Sequence, residues 1–232
     1  MQAAILAGGL ATRLKPLTAD IPKSLVTIKG SKTFLEYQLD FLRAGGVTDI
    51  VLCIGHLGEQ IEEFFGDGSK FGVRIRYSRE GETLLGTAGA LKKAASLLED
   101  EFFIMYGDSY LFLDFTNIMC YFKNQSKLAL MTVYKNRGRY DKSNTVVADN
   151  LVRRYSKQAV TGDMDYIDYG ATILRQPVLE LVPADRPYSL EELFPRLIAR
   201  DELLAYEVKD RFYEIGSPEG LQEFKKYVSQ LR

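Results

Sequence analysis

Two acidic residues lie where metal chemistry would need them. Asp108 follows the apolar run EFFIMY, behind Gly107, and Glu214 sits inside the apolar stretch FYEIG. A carboxylate among apolar neighbours is costly unless paired or metal-bound, and carboxylate oxygens suit Mg2+ beside a triphosphate. Asp108 and Glu214 are therefore candidates for a two-carboxylate magnesium site, against the plainer alternative of solvated acids at strand ends. The positive counterpart stands near the N-terminus, in AILAGGLATRLKPLTADIPKSL, where Gly8 and Gly9 end a short apolar run and Arg13 and Lys23 follow. Without a Cβ, glycines let phosphate oxygens approach backbone N–H groups. Arg13 adds a forked, permanent charge and Lys23 a compact one. The segment matches neither the Walker pattern nor the three-glycine dinucleotide fingerprint. By itself it reads either as a phosphate cradle or as a turn with surface charges nearby.

A nucleotide base needs a flat, open wall, and LLGTAGAL at 84–91 offers one. Gly86 and Gly89 flank Thr87 and Ala88 ahead of an amphipathic helix. The stretch reads as a platform for a planar ring or as a helix cap with Thr87 at the N-cap. Glu80, at the end of an expected strand, could accept the N1–H and N2–H of guanine; an exposed strand-end acid is the alternative. His56, the single histidine, reads as a loop or helix-start residue without a catalytic task. Cys53 and Cys120 lie in apolar runs without CxxC spacing and read as buried reduced thiols.

An alternation of strand-like and helix-like segments must position these groups. AAILA, DIVLCIG, VRIRYS and EFFIMY read as strands. Between them, apolar residues at helical spacing run from Phe34 to a Gly45–Gly46 stop, through Ile61, Phe64 and Phe65 to Gly66, and through GALKKAASLL. A helix through Ile118, Tyr121 and Phe122 leads into LALMTVY. Such alternation implies βαβ units. The expected fold is α/β, a Rossmann-like mixed, mainly parallel sheet with helices on both faces. Ligands of such sheets bind at the carboxyl ends of the strands, which brings the loops after Ala7 and Tyr106 together. Beyond residue 136 the pattern changes. NTVVADNLVRRYS reads as a hairpin turning at Asp149–Asn150, and YIDYGATILR as a strand. A Ser-x-x-Glu helix start follows at Ser189 and Glu192, and a last helix opens at Pro218.

The 232 residues, 46% hydrophobic and 26% charged, suffice for a sizeable core, and a net charge of -1 supplies no field for nucleic acid or anionic membrane. No signal-peptide pattern opens the chain, and no apolar stretch reaches the length of a membrane span, so a cytoplasmic location is expected. Neither repeat nor linker interrupts the sequence, and 1–232 reads as one domain.

LAGGLATRLKPLTADIPKSL resembles the signature loop of the sugar-1-phosphate nucleotidyltransferases, commonly Gly-Gly-x-Gly-Thr-Arg-Leu-x-Pro-Leu-Thr with Pro-Lys downstream. LLGTAGAL, YGDS and YEIGSPEGL resemble that family's base-contacting, metal-binding and C-terminal metal motifs, in the same order and across nearly the whole chain. The short length, with YIDYG and YSLEELF, is most similar to the compact branch of heptose-1-phosphate and mannose-1-phosphate guanylyltransferases. The resemblance implies that Arg13, Lys23 and Asp108 are catalytic and that Asp108 and Glu214 hold Mg2+. Leu6, Ala7, Gly8, Gly9, Ala11, Thr12, Arg13 and Lys23 would contact the nucleotide, with Glu80, Gly86, Thr87 and Ala88 near the base. Gly89, Gly107, Lys157 and Gly170 would meet the sugar phosphate. Residues 1–135 then form the nucleotide-binding part and 136–232 the sugar-phosphate and C-terminal part.

Several positions depart from the family pattern. Ala11 replaces the loop's third glycine, which is expected to tighten the backbone's approach to the phosphates. Ser24 replaces a common proline, and Glu214 stands where aspartate is usual, one methylene longer. The acid and proline that normally flank the position of Lys157 are absent. The implied reaction is in-line attack of a sugar-1-phosphate oxygen on the α-phosphorus of a nucleoside triphosphate, GTP favoured, releasing pyrophosphate. An ionised phosphate needs no general base. Cytidylyl transfer to phosphocholine or a similar alcohol phosphate, and a non-catalytic nucleotide-sensing subunit of the same fold, stay open. The expected partners are these small molecules rather than nucleic acid or membrane, and apolar C-terminal strands leave a homodimer open.

Overall fold

The computed structural model describes every residue except Glu82, Asp185 and Arg232. The first half alternates strand and helix as expected. β1 (Gln2–Leu6) is followed by the short strands β2 (Thr27–Lys29) and β3 (Lys32–Thr33), and then by α1 (Phe34–Ala44). Next come β4 (Asp49–Ile54), α2 (Gly58–Phe65), β5 (Arg74–Arg79), α3 (Gly86–Lys93), β6 (Glu101–Tyr106), β7 (Ser109–Tyr110), α4 (Phe115–Lys123) and β8 (Ala129–Tyr134). The second half contributes β9 (Thr145–Ala148), β10 (Leu151–Tyr155), β11 (Ile167–Arg175), α5 (Leu190–Ile198), β12 (Leu203–Val208), β13 (Tyr213–Glu214) and α6 (Pro218–Gln230).

Local chemistry sets most element ends. Thr33 and Glu36 form a capping box at the start of α1, and Ser189 and Glu192 form the one expected for α5. Ser217 caps α6, whose first residue is Pro218; proline fits there because its missing N–H would have no helical partner. Asp149 and Asn150, with φ of 54° and 58°, close the β9–β10 hairpin in the left-handed conformation that matches strand twist.

One nine-stranded sheet runs through both halves in the order β5–β4–β1–β6–β11–β8–β12–β10–β9. Following the pairings across it, only β11 and β10 run against the other strands, so the sheet is mixed and mainly parallel. Helices cover both faces: α1, α2 and α4 pack on one and α3 and α5 on the other. A third apolar cluster joins α6 to Phe34 of α1 and to Leu14 of the opening loop. Among the described residues, no helix is long and apolar enough to cross a membrane.

Three local expectations are corrected. LLGTAGAL does not precede a helix; its glycines belong to the first turns of α3, which starts at Gly86 with Leu85 as N-cap. Thr87 does not cap its own helix, because its Oγ1 accepts the Leu190 N–H at 2.7 Å and so caps α5 instead. Cys53 is buried, but Cys120 is exposed. On α4 the buried positions are Phe115, Ile118, Met119 and Phe122, and that spacing turns residue 120 to solvent.

Candidate active site

Parallel register brings the chemistry-bearing loops to one edge of the sheet. Leu6 pairs with Cys53 on one side and Tyr106 on the other, and Ile54 pairs with Arg79. Gly8 and Gly9, Glu80 and Asp108 therefore all leave the sheet at the same end. β11 runs antiparallel to β6, so its beginning, with Asp168 and Gly170, arrives there as well.

The two acids are neighbours. β7 and β13 form a two-stranded antiparallel ladder with Ser109 opposite Glu214, and the Ile215 N–H donates to the Asp108 carbonyl at 2.9 Å. Each carboxylate faces one of the two expected cations: Lys23 Nζ is 2.5 Å from Asp108 Oδ2, and Arg13 Nη2 is 3.3 Å from Glu214 Oε1. The first pair is largely enclosed, while Arg13 is 67% exposed. Burial, reinforced by the charge of Asp108, pushes the Glu214 carboxyl above its ordinary range, and Arg13 and Lys23 pull it back. Gly216 lies between these groups. A Cβ there would overlap Glu214 Oε1 and stand 2.7 Å from Arg13 Nη2 and 3.3 Å from Asp108 Oδ2. The space before the acids is thus free only because residue 216 has no side chain.

How Arg13 is held explains the departure at Ala11. Leu14 anchors the loop in the cluster that holds Ile215, next to Glu214. Ala11 has φ 48° and ψ 37°, the left-handed region, and its carbonyl accepts from Thr18 Oγ1 and Leu14 N. A glycine takes this conformation freely, whereas an L residue pays about 1–2 kcal/mol. The substitution strains the turn itself; neither Ala11 nor Thr12 lines the cavities described next.

Two cavities meet at Tyr106 and Asp108. The first, about 240 Å³, is bounded by Leu6, Ala7, Gly8, Gly9, Lys23, Glu80, Gly86, Thr87 and Gly107, among others. Gly8 has no room for a side chain, since a Cβ would lie 2.5 Å from Glu80 Oε2; at Gly9 a Cβ would meet nothing. Glu80 Oε1 accepts the Leu85 N–H at 2.7 Å, and burial raises the Glu80 carboxyl above its ordinary value. Ala88 and Gly89 lie behind this wall, both buried in α3, and Ala90 takes the place at the cavity.

The second cavity, about 320 Å³, contains Arg13, Lys157, Asp168, Gly170 and Glu214. Lys157 Nζ sits 4.9 Å from the centroid of the Tyr106 ring. Asp168 Oδ1 accepts the Gly170 N–H at 3.0 Å, its own N–H donates to Asn144 Oδ1 at 2.9 Å, and Tyr106 donates to Oδ2 at 3.4 Å. Burial raises the Asp168 carboxyl, and the charge of Lys157 opposes that rise. Gly107 and Gly89, expected beside the sugar phosphate, do not line this cavity; Gly107 borders the first and Gly89 neither. Asp168, Asn144 and Tyr106 were missed from sequence. The available signal was an acid in the mostly apolar strand YIDYGATILR.

The family model for nucleotidyl transferases matches residues 2–230. D-glycero-alpha-D-manno-heptose 1-phosphate guanylyltransferase of Campylobacter jejuni is 31% identical over 226 residues, covering 97% of this chain and 98% of that protein. The UTP--glucose-1-phosphate uridylyltransferase of Synechocystis is 33% identical over 85% of this chain, which spans 55% of that longer protein. Among solved structures, HddC from Yersinia pseudotuberculosis complexed with GMP-PN superimposes with a TM-score of 0.81 at 27% identity, covering 98% of this chain and 99% of that one. A continuous family match, a full-length relative and a shared fold agree with the order of the motifs: the chain belongs to the nucleotidyl transferase family, among its sugar-1-phosphate nucleotidyltransferases.

Proposed function

We propose that this protein transfers a nucleotidyl group from a nucleoside triphosphate, GTP by preference, to a sugar 1-phosphate, releasing pyrophosphate. The observation that carries the reading is the quartet of Lys23, Asp108, Arg13 and Glu214 where the two cavities meet. The first cavity takes the nucleotide. Gly8 and Gly9 leave backbone open to phosphate oxygens, and Glu80, held through Oε1, keeps Oε2 for the N–H groups of guanine. The second takes the sugar phosphate, with Lys157 toward the phosphate and Asp168 toward hydroxyl groups. Lys157 already fills the cationic position against Tyr106 and Asp168, which supports a phosphate there over the quaternary ammonium of choline. The Campylobacter relative, matched over 98% of its length, supports a guanine nucleotide and a sugar acceptor of the heptose class.

The acidic pair fits a magnesium ion. Mg2+ is usually held by one or two carboxylates and completed by water and phosphate oxygens rather than by a protein cage. Asp108 and Glu214 supply that number, Gly216 leaves the space, and among the described residues no group of three or more His, Cys, Asp or Glu could hold a metal ion. When bound, the ion supplies positive charge to the α-phosphate and the departing pyrophosphate. Lys23 and Arg13 add charge on either side, and the walls of the two cavities hold the reactants in line. The acceptor phosphate is ionised at neutral pH and needs no base, in keeping with His56 lying exposed in the turn after β4. We place this reaction in the cytoplasm.

A pyrophosphate-release screen tests the reading, crossing four nucleoside triphosphates with heptose, mannose and glucose 1-phosphates and phosphocholine. GTP with a sugar 1-phosphate is expected to turn over fastest. Nucleotide binding without turnover in any pairing would overturn catalysis in favour of a sensing subunit.

A further inference from the structure

The turn carrying Asp108 is held from beneath by a residue outside every motif described above. Gln38 lies on the buried face of α1, one helical turn from both Leu35 and Leu42, and is 0% exposed. Its Nε2 donates to the Tyr106 carbonyl at 3.0 Å and to the Ser109 carbonyl at 2.7 Å. These two carbonyls stand on either side of Gly107 and Asp108. Because both partners are acceptors, only the NH2 end of the amide can face them, so the side-chain orientation is forced.

The other end of the amide has no such compensation. Gln38 Oε1 is buried and, among the described residues, has no hydrogen-bond partner. A leucine at this core position would avoid that penalty, so the glutamine is costly to stability unless its two donated bonds matter. The remaining supports of the turn come from elsewhere: Gly107 N–H bonds to the Leu6 carbonyl at 3.0 Å, and the Asp108 carbonyl is held by Ile215 N–H. With Gln38, the turn is tied to β1, α1 and β13 together. Tyr106, one of the two residues whose carbonyls Gln38 holds, also bounds both cavities.

We propose that Gln38 is a positioning residue for the divalent cation, fixing the Asp108 carboxylate by clamping the carbonyls before and after it. The proposal rests on the reading of Asp108 as a metal ligand. Residues that orient ligands in this way typically change metal affinity by about 10–100-fold when lost.

Gln38→Met keeps the length of the side chain and removes both donors. Mn2+ binding is measured by electron paramagnetic resonance with GTP present and no sugar phosphate, so that nothing turns over. Pyrophosphate release is then followed against Mg2+ concentration. The expected result is a Mn2+ Kd raised about 10-fold, with excess Mg2+ restoring most of the rate and an unchanged KM for GTP. Gln2→Met serves as a matched control: Gln2 is equally buried, and its amide bonds Asp49, Leu97 and Glu99 at the opposite end of β1. It should lower Tm without moving Mn2+ affinity. If Gln38→Met does not fold, Gln38→Asn, one methylene short, should give an intermediate Kd. A folded Gln38 variant with wild-type Mn2+ affinity overturns the proposal, whatever its Tm. Asp108→Asn separates the two readings. If it loses Mn2+ while Gln38→Met does not, the positioning role alone fails; if it retains Mn2+, the metal reading fails and the clamp with it.

Discussion

The cavities on either side of Asp108 are made of different material. Around the first, glycine backbone supplies much of the wall, at Gly8, Gly9, Gly86 and Gly107, and among the described residues Glu80 is its one acid besides Asp108. Around the second, the wall is charged and polar side chains, with Asp141, Lys142, Lys157 and Asp168 on loops and on β11. In the proposed function, a wall of backbone would recognise what every nucleotide shares, its phosphates. A wall of side chains can be changed one residue at a time, and if the second cavity takes the sugar phosphate as proposed, differences in acceptor belong there.

The largest expected effect breaks the junction itself. Lys23→Ala or Asp108→Ala should lower the rate of pyrophosphate release on the order of 10^2–10^3-fold, with Tm moved by a few degrees at most; unchanged turnover in Asp108→Ala would remove the link between the cavities. Asp168→Asn tests the second cavity alone. KM for the sugar phosphate should rise roughly 10-fold, the scale of one lost hydrogen bond to a charged group, while KM for GTP stays put. The same change should raise Tm by about 2–4 °C at neutral pH. The direction follows from the raised carboxyl of Asp168. Its ionised form is disfavoured in the fold, so the penalty is absent in acid and grows as pH rises from the unfolded carboxylate range through the raised one. Calorimetry should therefore show a smaller gain at pH 5 than at pH 8, and a larger gain in acid would contradict the assignment.

Smaller effects sharpen the account of the first cavity. Thr87→Val removes the acceptor that caps α5, and should cost about 1 kcal/mol, or about 2–4 °C in Tm, with turnover changed less than threefold. A large loss of GTP binding with no loss of stability would make the place of Thr87 in the cavity wall, rather than its bond to Leu190, its main task. Ala11→Gly is expected to do least. Relief of about 1–2 kcal/mol of left-handed strain is offset by about 0.5–1 kcal/mol of added chain freedom. Stability should rise slightly and KM for GTP should stay within threefold; a marked fall in thermal stability would contradict the strain.

The contrast between the cavities also marks what could be read without a structure. Glycine stops, the capping box at Ser189 and the Asp149–Asn150 turn are local, and all three stand where residue order places them. The first cavity is legible for the same reason, because glycines after a strand leave backbone exposed wherever the chain goes next. Asp168 was not legible. Its placement depends on β11 inserting antiparallel between β6 and β8, a pairing that spans distant parts of the chain. Gln38 reads as one polar residue in an amphipathic helix, and its partners appear only when β6 and β7 are in place. Thr87 and Cys120 show the same limit on a smaller scale. The type of element was foreseeable, but which face or partner a given atom meets was decided by packing.

The ladder between β7 and β13 joins segments lying more than a hundred residues apart. A ribosome emits the described residues that bound the first cavity well before it adds Glu214, a delay of roughly 5–20 s at ordinary rates of synthesis. Under the proposed function the emerging chain thus carries the residues of the nucleotide cavity before it carries Glu214, and its final segments act as the last component of a lock delivered after the case is built.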